Sequence, residues 1–172
     1  MNTTPRSPTP EYKPDTTGVI EKAQKILFKD KFTILTDSDA TDFSLEVVEQ
    51  CENFFFVIET ESDCVIIYFG DLIRDNHTTT VGKSHIIYSQ RLDKVWSLKD
   101  DVKVKISYIK RCDIMFALGN NDGYFVLSKP GLNNSRVSCL SRLYKGMSDN
   151  ELFGVGEFPD TFTIKYFCVI QC

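Results

Sequence analysis

Two apolar runs divided by a short polar break limit the fold of this chain more than any other feature. Phe54-Phe55-Phe56-Val57-Ile58-Glu59-Thr60 is followed by Glu61-Ser62-Asp63 and then by Cys64-Val65-Ile66-Ile67-Tyr68-Phe69. Both runs have strand length and fall far short of the roughly 20 residues that a membrane-crossing helix needs. Their aromatic and β-branched side chains suit a pleated sheet. The break predicts a strand, a tight turn and a returning strand.

Shorter runs downstream have the same texture. Ser84–Ser89, Lys94–Leu98 and Val137–Leu140 read as strands, and Val102-Lys103-Val104-Lys105-Ile106-Ser107-Tyr108 alternates so cleanly that one face must be buried and the other wet. Cys112–Leu118 and Tyr124–Leu127 flank Gly119-Asn120-Asn121-Asp122-Gly123, whose residues readily supply a hairpin loop. Tyr144–Gly156 reads as a long loop, and Phe162–Ile170 as one terminal strand.

Helical spacing is confined to the front of the chain. Val19, Ile20, Ala23, Ile26 and Leu27 share one face of a helix over Val19–Lys31, a face that suits packing on the domain's own core, the commoner use, or docking on a partner. Phe43, Val47, Val48 and Cys51 share another, with Thr41 or Asp42 as its cap. Residues 1–18, with Pro5, Pro8, Pro10, Pro14 and five threonines, form an expected flexible tail, and residues 19–172 a single domain. The expected fold is mainly β (α+β): a sandwich of antiparallel strands with two short helices near the N-terminus.

Composition excludes some functions. Twenty basic and 24 acidic residues give a net charge of −4, and no linear run of Lys/Arg could track a phosphate backbone, so no nucleic-acid partner is expected. Only a basic patch assembled in three dimensions would change that. Met1–Pro10 has no apolar stretch resembling a signal peptide, so cytoplasmic residence is expected, without membrane insertion. The six cysteines (Cys51, Cys64, Cys112, Cys139, Cys168, Cys172) lie singly among apolar neighbours with no C-x-x-C pair, which favours buried structural thiols over disulfides or metal ligands.

No catalytic constellation stands out. Asp37–Asp42 offers alternating acids, but a calcium loop starting at Asp37 needs glycine and glutamate where Asp42 and Val48 stand. Val81-Gly82-Lys83-Ser84 resembles the end of a phosphate-binding loop, yet His77 replaces its first glycine and a strand-like run follows. His77 and His85 lack any flanking catalytic motif. The expectation is therefore a non-catalytic chain with no metal and no cofactor. An exposed edge strand, or the loops Asp71–Gly82 and Gly146–Gly156, would meet a partner. The alternative is a thiol-based antioxidant or redox sensor, for which Cys112, beside Arg111, and the terminal Cys172 are the candidates.

Taken in order, several of these pieces resemble a TLDc domain, most closely the divergent form found in amoebae. The Asp37-Ser38-Asp39 turn before a short helix, the hairpin of Phe56–Thr60 with Val65–Phe69, the glycine at Gly70, Trp96-Ser97-Leu98-Lys99, Gly123-Tyr124-Phe125-Val126-Leu127 and the closing Phe162–Ile170 each resemble that family's elements, over roughly residues 26–172. The resemblance implies a β-sandwich with two helices, a link to protection against oxidative stress, and a protein partner such as the cytosolic subunits of the vacuolar proton pump. It implies no catalytic residues.

Overall fold

Successive side chains of a strand face opposite sides, so an apolar run without polar interruption needs cover on both faces of its sheet. A computed structural model, which describes residues 15–36, 46–49, 51–75, 78–107, 113–156 and 159–172, shows what supplies that cover. The chain begins with helix α1 (Thr16–Leu27), strand β1 (Thr33–Thr36) and the short helix α2 (Glu46–Glu49). The hairpin strands β2 (Phe54–Glu59) and β3 (Cys64–Phe69) follow, then β4 (Ile73–Asp75), β5 (Thr78–Thr80), β6 (Ile86–Ser89) and β7 (Lys94–Ser97). The second half holds β8 (Lys105–Ser107), β9 (Ile114–Gly119), β10 (Tyr124–Ser128), β11 (Asn133–Ser138), β12 (Phe162–Thr163) and β13 (Tyr166–Gln171).

Among the described residues these strands form two antiparallel sheets: six strands in the order β1-β13-β2-β3-β6-β7, and seven in the order β12-β11-β10-β9-β8-β5-β4. Phe54, Phe56, Ile58, Val65, Ile67 and Phe69 pack in one core with Ile106, Phe116, Leu118, Phe125 and Leu127 of the seven-stranded sheet. Phe56 sits at its centre, its ring 4.9 Å from that of Phe116 and 5.0 Å from that of Phe167. The alternate residues Phe55, Val57, Cys64, Ile66 and Tyr68 face the other way, onto Val19 and Ala23 of α1. The hairpin is apolar throughout because a second sheet covers one face and a helix the other.

Helix α1 therefore packs on its own domain, the commoner of the two uses its apolar face suits. Its start lies three residues before the expected boundary, inside the segment read as tail, because Asp15 caps it by accepting from the Gly18 N–H at 3.0 Å. Thr16 donates to Glu59 and Gln90 exchanges hydrogen bonds with the Asp15 backbone, which moors this end to the sheet. The helix stops at Phe28 in the left-handed conformation, short of the expected Lys31.

Two other expectations are corrected. Asp71–Gly82, read as a loop, holds the paired strands β4 and β5; their polar side chains, Arg74, Asp75 and Thr78–Thr80, hid them from a hydrophobicity reading. Phe162–Ile170 is not one strand. Phe162 and Thr163 pair with β11 in one sheet, whereas Tyr166–Gln171 pair with β2 and β1 in the other. The chain crosses between sheets where the Ile164 carbonyl accepts from Gly131 and the Lys165 N–H donates to Glu59. Among the described residues no helix is long and apolar enough to cross a membrane.

Candidate binding cleft

Strand β4 ends the seven-stranded sheet and β7 ends the six-stranded one. Near these two edges lies a cleft of about 860 Å³, to which Ile73 of β4, Thr80 of β5 and Ser97 of β7 contribute. Its remaining walls are the connections around Gly82 and Leu98–Lys103, with Lys145. Backbone hydrogen bonds lock them: Val81 N–H to Val104 O at 3.0 Å, Lys99 N–H to Leu143 O at 2.9 Å and Lys145 N–H to Ser97 O at 2.9 Å. Gly82 lets the chain turn back here, since any side-chain carbon at that position would overlap the Asp71 carbonyl. Asp71 itself takes a positive φ of 51°, which aspartate tolerates better than most residues.

The lining pairs an apolar floor with a cationic rim. Val81 is buried, Leu98 and Val102 are half-buried against the main core, and Ile73 stands 63% exposed. Lys83, Lys99, Lys103 and Lys145 line the cleft against two acids, Asp71 and Asp100, in a chain whose net charge is −4. Lys145 pairs with Asp100 at 2.7 Å, and that contact, helped by Lys83, holds the Asp100 carboxyl below the usual range. Lys83, Lys99 and Lys103 are exposed and form no ion pair among the described residues. The cleft can therefore hold an anionic group beside an apolar one.

Beneath these walls, His85 and Tyr144 form a sealed pair. His85 is fully buried; its Nδ1 lies 2.7 Å from the Tyr68 carbonyl and its Nε2 2.7 Å from the Tyr144 hydroxyl. A carbonyl can only accept, so Nδ1 carries the proton and Nε2 accepts from the tyrosine. Burial pushes the imidazole down to about 4 and the Tyr144 phenol well above its ordinary value. The pair is a neutral strut between the Lys83-Ser84 turn and the Leu143–Lys145 segment, both of which abut the cleft.

A second buried polar cluster ties down the loop after Tyr144. The Asp63 carboxylate, with no exposed surface, accepts from the N–H groups of Cys64 at 2.8 Å and Arg91 at 3.0 Å and from the Ser89 hydroxyl at 2.6 Å. Burial still raises its pKa above the usual carboxylate value. Arg91 donates onward to the Glu151 carbonyl and Ser62 to that of Phe153. Met147, Leu152 and Phe153 are consequently buried. The expected contact loop Gly146–Gly156 thus turns much of its apolar surface inward.

The redox candidates are not brought together. Cys172 is half-buried, and burial raises its thiol despite the nearby Lys29 cation; Cys112 and Arg111 lie outside the described residues. So do the expected tail through Pro14, the Asp37–Asp42 acids and His77. Burial also raises the Cys51 thiol and pushes that of Cys64 up to about 12. His85 is enclosed as a structural group, and the strand β6 follows Gly82-Lys83-Ser84 where a phosphate-binding loop would need a helix. Among the described residues no group of three or more His, Cys, Asp or Glu side chains could hold a metal ion.

The cleft lysines escaped the sequence reading because they are dispersed from Lys83 to Lys145 with acids between them. The one legible signal was the local sign of the Leu98–Lys103 connection, where lysines bracket two aspartates, and that sum is neutral. No family model, curated protein or solved structure matches the chain.

Proposed function

We propose that this chain is a non-catalytic protein-interaction domain of the cytoplasm, of the TLDc type that its order of elements resembles, and that a partner docks in the lysine-rimmed cleft. The observation that carries this reading is the cleft itself. It lies near two sheet edges, its walls are held by backbone hydrogen bonds, and it combines an apolar floor with three lysines that form no ion pair among the described residues. Rigid walls lower the ordering cost of association, and edge positions leave room for an incoming chain. The resemblance supplies the first partner to try, the cytosolic subunits of the vacuolar proton pump, and a link to oxidative-stress protection.

The thiol-based alternative needs a thiolate near neutral pH. Burial moves Cys51, Cys64 and Cys172 the opposite way, which favours the interaction reading over those three thiols as reactive groups. The test uses the immobilised full chain. Purified cytosolic pump sector is passed over it, and in parallel retained cytosolic proteins are identified by mass spectrometry. Saturable retention of pump subunits supports the reading. No retained protein, with pump subunits verified in the input, counts against it.

A further inference from the structure

We infer that the cleft recognises an acidic peptide segment carrying one apolar side chain. This rests on the interaction reading above and names the chemistry of what docks. The argument starts from charge. A chain of net charge −4 places four lysines and two aspartates around one concavity, and one of those aspartates is already paired with Lys145. Lys83, Lys99 and Lys103 extend into solvent and form no ion pair among the described residues, Lys83 acting on Asp100 only from a distance, so an incoming carboxylate meets cations that need not break one. The floor adds a second requirement. Val81, Leu98 and Val102, with the exposed Ile73 beside them, offer a surface that an aliphatic side chain would cover and a bare anion would not.

The same residues disfavour other anionic ligands. Among the described residues no aromatic side chain lines the cleft to stack a base, and no arginine lines it to grip phosphate or a Watson–Crick edge with two parallel hydrogen bonds. Lysine acts as a point charge and suits a carboxylate approaching from several angles. A volume of about 860 Å³ falls in the range of sites that enclose a ligand, and fits a short segment better than a flat protein face.

The experiment measures fluorescence anisotropy of fluorescein-labelled peptides titrated with the full chain. The acidic probe is Glu-Asp-Leu-Glu-Asp. Its comparators are Gln-Asn-Leu-Gln-Asn, Glu-Asp-Gly-Glu-Asp and an oligouridylate of equal charge. The expected order has the acidic leucine peptide first, at least roughly tenfold tighter than its amide analogue, and weakening as salt rises from about 50 to about 300 mM. K83E/K99E/K103E should weaken it by at least roughly tenfold with an unchanged melting temperature. K25E/K31E/K165E, which makes the same charge change elsewhere, should stay within about threefold of wild type.

Equal losses in the two triple variants would overturn the proposal, because the effect would then be net charge. Binding of the oligouridylate as tight as the peptide, indifference to the leucine, or no binding by any probe would each overturn it as well. The partner-retention assay, repeated with K83E/K99E/K103E, separates the two levels. A partner held by wild type and variant alike sinks the cleft assignment and leaves the interaction domain standing. A partner held by neither sinks the interaction reading itself.

Discussion

Protonating His85 should destabilise this protein at mildly acidic pH, and the size of the effect follows from its burial. In the folded chain the ring is fully enclosed, its Nδ1 proton is given to the Tyr68 carbonyl and its Nε2 is occupied by the Tyr144 hydroxyl. The folded pKa is pushed down to about 4 from an ordinary 6.5. The unfolded chain therefore binds a proton first as pH falls, so His85 leaves stability intact above about pH 6.5 and withdraws it progressively down to about pH 4. One pKa unit corresponds to about 1.4 kcal/mol, so the whole interval is worth about 3 kcal/mol and the drop from pH 7 to pH 5 about 2 kcal/mol. Asp63 works in the opposite sense: its raised folded pKa adds stability as pH falls through it. Wild type alone would therefore blur the effect, and the comparison with His85→Asn removes the blur. Asparagine can keep a donor near Nδ1 but cannot titrate. At pH 7 the variant should be less stable by about 1–3 kcal/mol, because the Tyr144 hydroxyl loses its acceptor. Urea unfolding measured at intervals from pH 7 to pH 4 should then show the two stability curves converging by about 2 kcal/mol at pH 5. Parallel curves, or imidazole resonances of His85 that titrate near pH 6.5, would refute the buried neutral strut.

The remaining predictions concern packing and thiol access. Asp63→Ala removes the acceptor of two backbone N–H groups and of Ser89, and should cost about 3 kcal/mol in denaturant unfolding, with proteolysis first appearing near Glu151 as its loop loosens. A loss below about 0.5 kcal/mol would show that water replaces the carboxylate. Gly82→Ala must displace the Asp71 backbone, so a loss of about 1–3 kcal/mol is expected, with amide shifts concentrated at the cleft; a silent substitution would contradict the close approach. Phe56→Ala opens the centre of the sandwich and should cost about 3–5 kcal/mol by calorimetry or urea titration. Cys64, with its thiol pushed up to about 12, should resist alkylation at pH 8 in the folded protein and react once denatured, as mass mapping of modified cysteines would show.

Elements with a strong, single-period pattern were legible in advance. The Phe54–Phe69 hairpin and the amphipathic face of α1 appear where their side-chain spacing places them, whereas of the alternating run 102–108 only Lys105–Ser107 pairs as a strand and Tyr108 lies outside the described residues. Failures came where pairing depends on backbone alone. Strands β4 and β5 are polar, and their place at the end of the seven-stranded sheet comes from hydrogen bonds to one another and to β8. At the C-terminus, Phe162–Ile170 keeps a strand-like composition throughout, and nothing in the side chains marks the change of sheet at Ile164 and Lys165.

Local side-chain chemistry therefore determined the class of this protein: apolar residues at period two make sheets, and one amphipathic stretch makes a helix that covers them. The absence of a linear basic run was equally plain in the sequence. What only the tertiary structure decided is the candidate site. Lys83, Lys99, Lys103 and Lys145 become neighbours because β4 and β7 end their respective sheets near one cleft, and because Gly82 and the Leu98–Tyr144 bridge fold the intervening connections against one another. Their joint potential depends on distances through space, which dispersed positions along a chain do not encode.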